Sequence, residues 1–108
     1  MQVSLPRPIA AYFAADSAGS EAVADCFTER AVVRDEGRIH GGRAAIRRWR
    51  EEVRSKFEYV SEPFAVDLDG DRIVVTSRLT GNFPGSPVDL RYAFTLLGER
   101  IERLEIAP

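Results

Sequence analysis

Cysteine is almost missing from this 108-residue chain, and a whole class of architecture goes with it. Cys26 stands alone, so no intramolecular disulfide can form and nothing in the sequence points to an oxidising compartment. Histidine is as scarce. His40 has no second histidine and no cysteine cluster to join in a zinc site, and the carboxylates show no ligand spacing, so no metal is expected. Neither sign of charge dominates: the net charge of -2 is spread along the chain and offers no basic field for nucleic acid. Lys56 is the only lysine, an arginine bias that a GC-rich genome produces as readily as anion recognition does. Long apolar runs are absent too. No stretch approaches the length of a bilayer span, and Met1-Gln2-Val3-Ser4-Leu5-Pro6 lacks the charged start and apolar run of a secretory leader, so no membrane association and a cytoplasmic protein are expected.

What is present is an ordinary globular composition, 44% hydrophobic and 30% charged, in a length that suits one domain over 1–108. Pro6 and Pro8 fit only the first turn of a helix, and Ile9, Tyr12, Phe13 and Asp16 follow at helical spacing, which predicts a helix from about Pro8 to Asp16. Ser20 can cap a second, shorter helix whose Val23 and Phe27 share a face. A short strand over Ala31 to Asp35 is expected next, then a glycine-rich loop from Glu36 to Gly42. The third helix opens at Gly42, with Ile46, Trp49, Val53 and Phe57 in one stripe and Arg47 with Glu51, and Arg48 with Glu52, paired on the other face. Beyond it the period changes to two, over Glu58 to Leu68, Arg72 to Gly81, Val88 to Leu97 and Arg100 to Ile106. Asp69-Gly70-Asp71 and Gly98-Glu99 supply tight turns, whereas Gly81-Asn82-Phe83-Pro84-Gly85-Ser86-Pro87 makes a longer loop. Three helices followed by an antiparallel meander predict an α+β domain: a curved, cone-shaped sheet covered on its concave face by the N-terminal helices. Such helices cannot fill a strongly curved sheet completely, so a conical cavity between the layers is the expected ligand site.

Asp35 stands where the short strand ends, placed to look into that cavity as a general base, or alternatively to cap the following loop or pair with Arg34 or Arg38. Tyr12 offers a hydroxyl donor to a developing oxyanion, or a core aromatic whose hydroxyl finds a backbone partner. Trp49 and Phe94 are candidates for the deep wall of a ligand pocket and Phe83 for its rim. Tyr92 needs a partner on an otherwise apolar strand face, and Arg78, as a lone cation pointing inward on its strand, could bind an acidic ligand or hold Asp35 ionised. His40 reads as a solvent-facing loop residue or a gate to the pocket, and Cys26 as a small apolar side chain.

The order of these features resembles the nuclear transport factor 2-like superfamily and, within it, the SnoaL-like branch. Tyr12 in helix one, Asp35 at the strand end, the Gly41-Gly42-Arg43-Ala44-Ala45-Ile46-Arg47-Arg48-Trp49 helix start and the Gly81 to Pro87 loop carry the likeness, which extends from about Leu5 to Ile106. The resemblance implies a cystatin-like roll. Ketosteroid isomerase, a relative in that superfamily, has a helix-one tyrosine donor and a strand-end aspartate base, positions matched here by Tyr12 and Asp35. Its second, protonated aspartate corresponds to Tyr92, which would give an oxyanion hole of two phenols. The Arg-x-Asp pair of the epoxide-hydrolase relatives is not reproduced, because Arg78-Leu79-Thr80 lacks the carboxylate. The resemblance therefore implies a cavity for a hydrophobic carbonyl-bearing small molecule and proton transfer by isomerisation or cyclisation without a cofactor. The alternative is a binding module without catalysis. A homodimer through the exposed sheet face is expected in either case.

Overall fold

The computed structural model describes residues 3–108; Met1 and Gln2 of the expected 1–108 domain lie outside the described residues. Helix α1 (Arg7–Asp16) carries Pro8 in its first turn, where the missing N–H costs nothing, and buries Ile9, Tyr12, Ala15 and Asp16. Helix α2 (Ser20–Ala24) is short. Gly19, at φ 136°, takes the N-cap position expected of Ser20, whose hydroxyl instead donates to Glu51 at 3.2 Å. Phe27 is not part of that helix: it opens strand β1 (Phe27–Asp35), which thus begins earlier than the expected Ala31. The reason is tertiary, since Phe27 is fully buried and pairs with Ile101 near the other end of the chain.

Strand β2 (Arg38–Gly41) replaces the expected glycine-rich loop. Asp35-Glu36-Gly37-Arg38 closes a hairpin with φ 52° at Glu36 and 75° at Gly37, the pair of positive angles that matches a two-residue turn to strand twist. Helix α3 (Arg43–Lys56) follows. Its apolar stripe buries Ile46 and Trp49 as the spacing requires, but the exposed pairs are Arg47 with Glu51 at 3.8 Å and Lys56, not Arg48, with Glu52 at 3.4 Å.

The period-two segments become strands β3 (Tyr59–Asp69), β4 (Arg72–Gly81), β5 (Val88–Leu97) and β6 (Arg100–Ala107), an antiparallel meander. Strand β1 joins its free side by pairing parallel with β6, which gives a six-stranded sheet in the order β2-β1-β6-β5-β4-β3. The fold is the expected α+β roll, a curved open sheet with the helices against one face. On β5, Tyr92 and Phe94 are buried between the layers while Asp89 and Arg91 point outward. Tyr12, Phe27, Phe94, Ile46, Ile101 and Leu104 are the large buried side chains of the core.

One glycine fixes the geometry where β3 begins. A Cβ on Gly81 would stand 2.1 Å from the Glu58 carbonyl oxygen and 2.7 Å from Tyr59 Cβ, so only a residue without a side chain lets the two strands meet beside Tyr59. Gly81→Ala is expected to cost about 1–3 kcal/mol, as overpacking of a close contact does, readable as a lower urea midpoint at unchanged slope.

Candidate functional site

The open end of the roll holds a cavity of about 850 Å³. Strand β1 places Asp35 on its wall because Ala31, Val33 and Asp35 alternate inward while Val32 and Arg34 face the other side of the sheet. Helix α3 contributes Trp49 and Arg50, β5 contributes Leu90 and Tyr92, and the loop after β4 contributes Phe83 at the rim, edge-on to Phe57 at 6.2 Å. Glu36, Arg38, Glu52 and Lys56, all exposed, add charge to the lining.

Trp49 organises one side of this cavity. Its indole N–H donates to Asp35 Oδ2 at 3.0 Å. Its ring stacks with His40 at 5.8 Å and lies under the Arg50 guanidinium at 4.6 Å. Asp35 is half-buried and makes no ion pair among the described residues, because Arg34 turns to Glu105 at 3.6 Å. Its second carboxylate oxygen is thus left without a described donor. His40 belongs to the lining and not to a solvent-facing loop, a consequence of the hairpin that turns residues 38–41 into a strand.

A charged network unforeseen in the sequence lies behind the wall. The Asp16 carboxylate is buried, receives the Arg50 guanidinium through Nη2, and pairs with Arg54 Nη2 at 3.2 Å. Arg50 Nη2 also donates to the Tyr59 hydroxyl, which donates in turn to Asp16 Oδ2 at 3.4 Å. Arg54 stacks on the Tyr59 ring at 4.0 Å and ties down the Asp16 and Tyr59 carbonyls at 2.9 and 3.2 Å. The signal was present in the spacing. Asp16 follows Tyr12 at four residues, and Arg50 follows Ile46 at four, so both stand on buried faces.

The sequence candidates separate accordingly. Asp35, Trp49, Phe83 and Tyr92 line the cavity, together with His40. Tyr12 and Phe94 do not: both are buried in the core, with their rings 5.6 Å apart and edge-on, and Tyr92 stands in front of them on the wall. Arg78 is turned away altogether. It lies on the outer face of the sheet, 56% exposed in its side chain, and pairs with Asp89 at 2.9 Å, because the strand alternation that buries Ser77 and Leu79 puts residue 78 outside. Cys26 donates its thiol to the Ala22 carbonyl at 3.5 Å, and burial pushes its pKa up, which makes a poor nucleophile. No group of three His, Cys, Asp or Glu side chains is placed to hold a metal among the described residues.

All three phenols are held protonated beyond the usual tyrosine value of about 10, first by burial, with the Arg50 charge acting in the opposite sense. Each therefore contributes stability that is complete below that value and is lost as pH rises through the higher folded one. An absorbance titration should show less tyrosinate in the folded protein near pH 10 than in the unfolded chain, with the remainder appearing on alkaline unfolding.

A SnoaL-like domain profile matches residues 9–97, from α1 to the end of β5. Among solved structures, a candidate polyketide cyclase from Sinorhizobium meliloti is 44% identical over 95% of this chain and 95% of its own, with a TM-score of 0.89. A Catenulispora acidiphila protein with a ketosteroid isomerase-like fold is 18% identical over 97% of this chain and 87% of its own, with a TM-score of 0.85. A cystatin-fold protein from Novosphingobium aromaticivorans is 17% identical over 94% and 95%, with a TM-score of 0.75. These last two show the fold alone. No curated protein matches the chain. With the roll, the open-ended cavity and a profile match over most of its length, the chain belongs to the SnoaL-like domain family.

Proposed function

We propose that the cavity binds a hydrophobic carbonyl compound and that Asp35 moves a proton at the carbon next to that carbonyl, in an isomerisation or a ring closure. One observation carries this reading: Asp35 stands on the cavity wall with one oxygen anchored by the Trp49 indole and no ion pair among the described residues. A carboxylate anchored at one oxygen and engaged in no ion pair keeps its aim and an oxygen open to the ligand, which proton abstraction requires. The developing negative charge on the carbonyl oxygen falls to the Arg50, Tyr59 and Tyr92 side of the same cavity, with Tyr12 packing behind Tyr92. The likeness to a candidate polyketide cyclase supports a cyclase type of reaction. The reaction needs no cofactor.

The test is exchange of α-hydrogens for deuterium in cyclic unsaturated ketones, followed by NMR. Wild-type protein is expected to accelerate exchange over buffer and over heat-denatured protein. An unchanged rate across a panel of ring sizes would leave the binding module as the better reading.

The outer sheet face favours a homodimer in either case. It carries a trough of about 570 Å³ lined by Val32, Ile39, Ala93 and charged residues of both signs, with Ile39 65% exposed. Light scattering is expected to give twice the 12.0 kDa chain mass, and Ile39→Asp to return it to the monomer.

A further inference from the structure

The network behind the cavity wall does not balance. Two guanidiniums, Arg50 and Arg54, meet one carboxylate, Asp16. The remaining groups there, Tyr59, Tyr92 and Tyr12, are neutral phenols, so the cluster holds one excess positive charge. Arg54 is about a third exposed and can spread its charge into solvent, whereas the Arg50 side chain is only 5% exposed. An unbalanced cation kept out of water is unfavourable unless something else meets it.

Arg50 is also incompletely used. Of its guanidinium nitrogens only Nη2 donates to a described residue; Nε is sealed away without a partner, which leaves Nη1 as the donor for the cavity that Arg50 lines. Asp35 forms no ion pair with Arg50: its carboxylate accepts from the Trp49 indole, with that ring between it and the guanidinium. The other lining carboxylates, Glu36 and Glu52, are exposed, and Glu52 is already paired with Lys56. The corner thus combines a fixed positive charge, an unused donor, and apolar walls from Leu79, Leu90 and Ile106.

We infer that the Arg50 corner is a subsite for an anionic oxygen group, so that the ligand is a flat, largely apolar monoanion, an aromatic or alicyclic carboxylate or the ionised enol of a cyclic β-diketone. The inference rests on the cavity being a ligand site, and it adds the charge and the orientation of the ligand. The anionic oxygens meet Arg50, and the apolar body extends along the wall toward Trp49 and Asp35. Planar delocalised oxyanions suit a guanidinium better than a single hydroxyl does, because both partners are flat and charged.

Trp49 is the only tryptophan and lies directly beneath Arg50, so its fluorescence reports occupancy of this corner. Full-length protein is titrated with naphthalene carboxylate and with its uncharged carboxamide, and in a second arm with a phenyl-substituted cyclic β-diketone and with phenylcyclohexanone. At neutral pH each anion is expected to bind roughly 10- to 100-fold more tightly than its neutral counterpart, the range a charge-assisted hydrogen bond supplies. If only one arm discriminates, it names the source of the oxyanion. Arg50→Gln is expected to reduce the preference to about twofold or less, and Arg50→Lys to restore part of it. Should Arg50→Gln fail to fold, the wild-type comparison decides alone. Asp35→Asn is expected to keep the preference or strengthen it, which separates this subsite from the proton-transfer reading. Equal binding of anion and neutral counterpart in both arms, or a preference that survives Arg50→Gln, overturns the inference while leaving Asp35 chemistry standing. Absence of binding by all four compounds overturns both.

Discussion

Asp35→Asn is expected to slow α-proton exchange by roughly 10²- to 10⁴-fold, the usual contribution of a positioned general base, with ligand affinity nearly unchanged. The asymmetry follows from the hydrogen bond at the cavity wall. Asparagine can still accept from the Trp49 indole through its amide oxygen, so the wall keeps its shape while the group that takes the proton disappears. The loss should therefore fall on kcat and not on KM. Tyr12→Phe is the informative contrast, since Tyr12 is buried outside the cavity lining, and its exchange rate is expected to stay within about threefold of wild type, less than 1 kcal/mol of barrier. Exchange by Asp35→Asn at the wild-type rate would remove Asp35 from the mechanism.

Asp16→Asn carries the largest expected cost in stability, about 3–5 kcal/mol, because it strips the buried Arg50 guanidinium, and the partly exposed Arg54 beside it, of their only described carboxylate while keeping side-chain volume. Asparagine offers one oxygen where Arg50, Arg54 and Tyr59 now share two charged ones. For a domain of this size such a loss lowers the midpoint of thermal unfolding by well over 10 °C. The control is Asp69→Asn. Asp69 pairs with Arg72 at 2.8 Å but is 64% exposed, and its replacement is expected to change stability by less than about 1 kcal/mol. Equal denaturation midpoints for the two variants would mean that the buried network contributes no more than a surface pair.

The same network marks the limit of what could be read along the chain. The strict alternation on β5 and the stripe on α3 announce their buried faces directly, because period two and period 3.6 are local properties of the backbone. Asp16 and Arg50 stand on those same periods, yet charged residues read as solvent-facing until their partners are known. The partners lie 34 residues apart. Arg78 errs in the opposite direction: an arginine expected to point inward stands outside, because strand alternation buries Ser77 and Leu79 and leaves residue 78 to Asp89 of the adjacent strand. Strand β2, which sets His40 in the lining, was not legible because glycines around a positive-φ turn look like a loop whether or not the flanking residues pair.

The amino-acid sequence by itself determined the class of fold, the meander, the helix that carries Trp49 and the place of Asp35 at the end of an inward-facing strand, since each depends on residues within a few positions of one another. Only the tertiary structure decided that Tyr12 fills the core, that Arg78 faces out and that Asp16, Arg50, Arg54 and Tyr59 form one buried cluster beside the cavity. The physical reason is that burial of charge depends on what stands opposite, and those opposing groups come from separate elements brought together by the closing of the sheet.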